Sequence, residues 1–154
     1  MGKVRASISV KGRAVEAERV WYDKARWAAW IDGFGHVVSL EGNWPFSGSR
    51  LVWDSPPGGR GRVVERVVGY EPRLGQTLEV EDGKLEGTQR VEFEPGPESV
   101  KITLSLDYRL KERTPVTPLV DLLFIRRALG DSLRRTLRRF STELAAERQF
   151  GPAR

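Results

Sequence analysis

His36 is the only histidine among 154 residues, and cysteine is absent. Thiolate nucleophiles, disulfides and cysteine-based zinc or iron-sulfur sites are thereby excluded, and a Ser-His-Asp device would have to rest on His36 alone. His36 opens the β-prone run "HVVSL" and reads as a partly exposed strand residue, with ligand contact or proton transfer as its alternative role. No metal site and no cofactor are expected. The other notable spacing is in "DKARWAAWIDGF", residues 23 to 34, where Trp27 and Trp30 stand three apart before a glycine-bracketed Phe34. On a helix, residues three apart share a face, so two indoles would anchor one short helix on a core or on the wall of a ligand pocket.

The basic excess is the third chemical feature. Net charge is +5, but residues 1 to 117 hold 18 basic and 17 acidic side chains while 118 to 154 hold 8 and 4. Such an excess attracts an anionic membrane surface or an acidic protein partner, and Arg127, Arg134 and Arg138 are the side chains expected to make that contact. Nucleic acid is not the expected partner, because no aromatic residues are interleaved on that polar face. "GGRGR" at 58 to 62 follows Pro56 and Pro57 and reads as a hairpin turn.

The elements that must position these residues follow from periodicity. "KVRASISV", residues 3 to 10, puts Val4, Ala6, Ile8 and Val10 on one side of a half-buried strand. "RAVEAERVWYD" and "KARWAAWI" have the composition of two short helices, although Gly12 is the only start signal before the first. From Gly33 onward, turn-forming clusters separate the runs "HVVSL", "RLVWD", "RVVERVVGY", "QTLEVE", "TQRVEFE" and "VKITLSLDYRLK", the rhythm of an antiparallel meander. The last run alternates most clearly, with Val100, Ile102, Leu104, Leu106, Tyr108 and Leu110 on one face.

"TPVTP" then supplies Thr117 as a cap and Pro118 as a first helical residue, with Asp121 near the positive end of the helix dipole. Apolar residues recur at Leu122, Ile125, Leu129, Leu133, Leu137, Phe140 and Leu144, so a long helix must bury one stripe. Arg127, Arg134 and Arg138 lie opposite that stripe and Arg126 falls at its edge. The chain length suits one domain, assigned to residues 1 to 150, followed by a frayed tail at 151 to 154. No run reaches the 18 or so apolar residues of a membrane span, and the start does not resemble a signal peptide, so a cytoplasmic location is expected.

This order of elements resembles the START-like or SRPBCC superfamily, the helix-grip fold shared by polyketide cyclases, coenzyme Q-binding proteins and the birch-pollen allergen type. The matching stretches are "WYDKARWAAWI" after "SISVKGRAVEAERV", then "GSRLVW", "GRVVERVVGYEP" and the amphipathic segment at 118 to 147. The resemblance implies an α+β protein in which a curved antiparallel sheet of about seven strands wraps a long C-terminal helix, with two short helices after strand one. It also implies a cavity between sheet and helix for a hydrophobic small molecule such as a lipid, an isoprenoid or a polyketide, and leaves open a cyclase or dehydratase reaction in that cavity.

On that fold, Trp27, Trp30 and Phe34 would line the short-helix end. Leu51, Trp53, Leu78, Phe93 and Leu104 would line the sheet, together with Val80, Val91 and Leu106, while Ile125 and Leu129 would face them from the long helix. The alternative for each is plain core packing. If the cavity is catalytic, its acid, base or hydrogen-bond donor would come from Asp32, Arg66, Tyr70, Tyr108 or Arg126. Arg126 could run its aliphatic stem along apolar surface before reaching a ligand anion. Arg66 shares strand parity with Val64, Val68 and Tyr70, but Glu65 shares the other with Val63 and Val67, so alternation leaves open which face enters the cavity.

Overall fold

The computed structural model describes residues 2–112 and 118–150. The cap assigned to Thr117 and the tail at 151–154 fall outside them. Strand β1 (Gly2–Lys11) leads into helix α1 (Ala14–Trp21), a single 3-10 turn (Lys24–Arg26) and the one-turn helix α2 (Trp27–Trp30). Six strands follow: β2 (His36–Glu41), β3 (Arg50–Asp54), β4 (Arg62–Glu71), β5 (Gly75–Glu81), β6 (Leu85–Pro95) and β7 (Ser99–Leu110). Helix α3 (Leu119–Phe150) completes the described chain.

The seven strands form one curved antiparallel sheet in the order β1-β7-β6-β5-β4-β3-β2, with bulges between Val37 and Ser39 and between Val67 and Gly69. This is the expected helix-grip arrangement. Consecutive strands are neighbours throughout except β1, which pairs with β7 from Gly2 opposite Tyr108 to Lys11 opposite Ser99. Alternation does the sorting that the sequence implied: Val100, Ile102, Leu104, Leu106 and Tyr108 of β7 are buried on the face toward the helices. No described helix is long and apolar enough to cross a membrane.

Helix α1 starts where only Gly12 had signalled a start. Gly12 has φ +127°, a conformation that costs glycine little and turns the chain out of β1. The missing cap is supplied from inside the helix, where the Glu16 carboxylate accepts the Arg13 backbone N–H at 2.9 Å. That bond holds Glu16 below the ordinary carboxylate range, with Arg148 and Arg13 adding to it and burial opposing.

The long helix is buried over only part of its stripe. Leu133, Leu137, Phe140 and Leu144 are buried, whereas Leu122, Ile125 and Leu129 are half-buried and Leu119, Val120, Leu123 and Phe124 are exposed. Its C-terminal half packs on an aromatic cluster in which Trp21, Trp30 and Phe140 have ring centroids 4.5–5.0 Å apart. Edge-to-face contacts of this kind add about 0.5–1.5 kcal/mol each beyond burial.

The two tryptophans of α2 therefore anchor it in different ways. Trp30 joins the cluster, while Trp27 donates its indole N–H to the Trp21 carbonyl at 2.8 Å. Polar contacts fasten the same segment to α3. The Asp32 backbone N–H donates to Thr136 Oγ1 at 3.0 Å, and its carboxylate accepts from Ser132 at 2.7 Å, from Arg135 at 3.0 and 3.1 Å and from Arg139 at 3.2 Å. At the other end, Arg26 bonds Asp23, Glu143 and Glu147.

A cavity with one buried carboxyl

Between α2, α3 and β3–β7 lies a cavity of about 90 Å³. Trp27, Trp30 and Phe34 close it from the short-helix side, Leu51, Trp53, Leu78 and Leu104 from the sheet, and Ser132, Leu133 and Thr136 from α3. Its volume matches about three liquid water molecules, well below the roughly 300–1,000 Å³ of a site holding a drug-sized ligand. The gap between sheet and helix is thus largely filled by aromatic rings. Ile31, Asp32, Phe34, Trp44, Arg60, Gln89 and Ser132 are the lining residues that keep partial or full exposure, and the cluster of Ile31, Asp32 and Phe34 sets a mouth beside the loop after α2.

Glu65 is the unexpected member of the lining. Its strand has valines on both faces, and the structure turns Val63, Glu65 and Val67 inward and Arg66 and Val68 outward. The residues directly opposite Glu65 are Leu51 on β3 and Val80 on β5, both buried and apolar. The residue is 8 % exposed and, among the described residues, its carboxyl forms no ion pair. Burial pushes it up to about 7, against the opposing pull of the Arg60 charge and the nearby Trp53 indole.

Arg60 comes from the turn at 58–62 and lies across the mouth. Its guanidinium carbon sits 5.6 Å from the Trp53 ring centroid, and its Nε donates to Asp82 at 2.8 Å. Asp82 is itself buried and accepts the backbone N–H groups of Lys84 and Leu85. Burial raises the Asp82 carboxyl, but those bonds and Arg60 outweigh it and hold it below the ordinary range. Arg60 is therefore engaged by a charged partner, and Glu65 feels it only through space. Gln76 and Gln89 complete the polar lining, Gln76 Nε2 donating to the Pro45 carbonyl at 3.0 Å.

Seven sequence candidates meet at the cavity: Trp27, Trp30, Phe34, Leu51, Trp53, Leu78 and Leu104. Six do not. Phe93 is core, packed edge-to-face on Trp21 and Tyr22. Arg66 is exposed on the outer face, in register with Arg50 and Glu79. Tyr70 follows the β4 bulge and packs edge-to-face on Tyr22 and Phe46 outside the cavity. Ile125, Arg126 and Leu129 precede the part of α3 that reaches the cavity, and Arg126 is exposed in an open groove with Lys3, Arg5 and Arg127.

Asp32 does line the cavity, but its carboxylate is a clamp on α3. Burial raises it, and the Arg135 and Ser132 hydrogen bonds and the nearby Arg139 outweigh burial and leave it below the ordinary range. Tyr108 is buried away from the lining, beside Gly2, and His36 stands exposed at the start of β2, 3.8 Å from Asp54. Trp21, Arg60, Glu65, Gln76 and Gln89 were not assigned to the site from sequence. Among the described residues, no group of three or more histidines or carboxylates is placed to hold a metal ion.

A sheet gripping one long helix, with an aromatic-lined cavity between them, defines the START-like class. The chain belongs to the polyketide cyclase / dehydrase and lipid transport family, whose model matches residues 1–145. Among solved structures it is similar to TTHA0849 from Thermus thermophilus, at TM-score 0.73 and 17% identity over 94% of this chain and 98% of that one. A START superfamily protein from Mycobacterium smegmatis gives TM-score 0.71 and 15% identity over 93% and 97%. DynU16, from the dynemicin biosynthetic locus, gives TM-score 0.65 and 19% identity over 93% of this chain, which spans 47% of that longer one. No curated protein sequence matches the chain.

Proposed function

We propose that this protein binds a small hydrophobic molecule in the cavity between the sheet and α3, as a single cytoplasmic domain formed by residues 1–150. The observation that carries this reading is the lining: indole, phenyl and leucine side chains surround a space with a mouth at Phe34, Trp44 and Arg60. Membership of a family described by polyketide cyclisation and lipid transport supports it. A guest larger than about 90 Å³ enters by displacing the mouth side chains. Native mass spectrometry of purified protein, followed by extraction of any co-purifying molecule, tests the reading. A bound small molecule lost from a Trp53→Arg variant that still folds supports it. Protein that is uniformly empty, and whose tryptophan emission ignores added lipids, isoprenoids and aromatic polyketides, refutes it.

A second reading, a cyclase or dehydratase reaction in the same cavity, is favoured by one observation, the buried carboxyl of Glu65 among the lining side chains. Turnover that falls on Glu65→Gln while guest binding persists distinguishes it from binding alone.

The contact expected of Arg127 and Arg134 has a surface suited to it. Both line an open groove with Lys3, Arg5, Val120, Leu123 and Phe124, and Arg138 lies further along α3 on exposed surface. Binding to vesicles containing anionic lipid that collapses above about 0.5 M salt supports membrane contact there, and salt-independent or absent binding refutes it.

A further inference from the structure

Two polar groups in the cavity lining lack what a buried polar group ordinarily has. Glu65 presents a carboxyl between Leu51 and Val80 with no ion-pair partner among the described residues, and the Trp30 indole N–H, on a side chain 1 % exposed, has no hydrogen-bond partner. Buried polar groups of this kind are ordinarily satisfied, because an unpaired one gives up its bonds to water and gains none in return. The charged groups that face the region are already engaged: Arg60 with Asp82, and Asp32 with Arg135 and Arg139. Among the described lining residues, the one cation, Arg60, already has a carboxylate partner. A neutral carboxyl keeps one oxygen as acceptor and turns the other into an O–H donor.

We propose, resting on the reading of the cavity as a ligand site, that it takes a neutral aromatic carbonyl compound whose oxygen accepts a hydrogen bond from Glu65. The surrounding indole and phenyl rings stack on the planar part of the guest, and the carboxyl O–H fixes which end points toward β4. Hydrocarbons of the same shape lack the acceptor, and carboxylic acids in their charged form bring an anion to a lining whose described cation, Arg60, is already held by Asp82.

The test uses two probes of nearly the same shape, acetophenone and α-methylstyrene, in which C=O replaces C=CH2. Their affinities are measured by NMR, from the tryptophan indole N–H signals, on the full chain at pH 6 and pH 9. Wild-type protein at pH 6 is expected to bind acetophenone about three- to tenfold more tightly than α-methylstyrene, the range one net hydrogen bond supplies. At pH 9 the preference disappears. Glu65→Gln, which keeps a donor but cannot ionise, retains a preference of a few-fold at both pH values. Glu65→Leu, which keeps an apolar filling, loses it at both. Dispersed spectra of each variant verify folding. A preference that survives Glu65→Leu, or equal binding of the probes to wild type at pH 6, overturns the proposal and leaves the ligand site standing. If neither probe moves any indole signal, the ligand site falls with it.

Discussion

Replacing Glu65 by Gln should make the protein more stable in alkali without greatly changing it in mild acid. In the unfolded chain Glu65 titrates near the ordinary value of 4.5, whereas burial between Leu51 and Val80 raises it to about 7 in the folded state. The folded protein therefore holds a proton that the unfolded chain has released across that interval. Stability from this group is fully present below about 4.5, declines as pH rises toward 7, and is gone above it. The interval corresponds to about 3 kcal/mol, or roughly 6–12 °C in melting temperature for a chain of this size. Glutamine has no proton to lose and fills nearly the same volume.

Urea unfolding followed by circular dichroism, from pH 4.5 to pH 9, gives the two profiles to compare. Wild type should lose about 3 kcal/mol relative to Glu65→Gln between pH 5 and pH 8. The carboxylates held low, Glu16, Asp32 and Asp82, act in the opposite sense and only as pH falls through the acidic end, so they do not produce this slope. Parallel profiles for the two proteins would refute the assignment of Glu65 to an apolar site without a charged partner.

Removing the Arg60 charge as Arg60→Gln should raise the Glu65 titration further, because Arg60 is the charge that lowers it; the same profile would then bend at higher pH, and an unmoved bend contradicts the coupling. Phe140→Ala should cost about 3–5 kcal/mol in urea unfolding, since Phe140 is 0 % exposed and touches both Trp21 and Trp30; a loss under 1 kcal/mol would mean the cluster is not packed as described. Asp32→Asn should cost about 1 kcal/mol, given that both arginine partners are nearly half exposed, and should speed amide exchange at residues 27–31. Gly87→Ala should destabilise the β6–β7 pairing by about 1–3 kcal/mol or more, because a Cβ there would run into the Asp107 carbonyl oxygen; unchanged melting would contradict the register.

The strands were readable because their turns and alternation agree. β3 was bounded at Arg50 and Asp54 from sequence alone, and the inward set of β7 follows from period two. The extent of β4 is equally legible but its inward face is not, since Val63, Val64, Val67 and Val68 make both faces apolar, and the choice between Glu65 and Arg66 depends on pairing with β3 and β5. Arg60 and Asp82 meet from two different turns, 22 residues apart, a contact that no local pattern announces. For α3 the heptad-like stripe predicted burial from Leu122 onward, but the aromatic layer that buries it is contributed by α1 and α2 and reaches only from Leu133. By sequence Asp32 is one of five candidates for a pocket acid, base or hydrogen-bond donor; the arginines that make it a clamp lie about a hundred residues later.

The pairing of β1 with β7 carries a cost during synthesis. Every other strand can find its partner as soon as a hairpin emerges, but the apolar side of Val4 to Val10 stays without its neighbour until residues 99 to 108 leave the ribosome. Joining strands so far apart requires closing a loop of nearly the whole sheet, which places that step late in folding. A nascent chain halted before β7 would therefore display an open sheet flank, and is the form of this protein most in need of a chaperone.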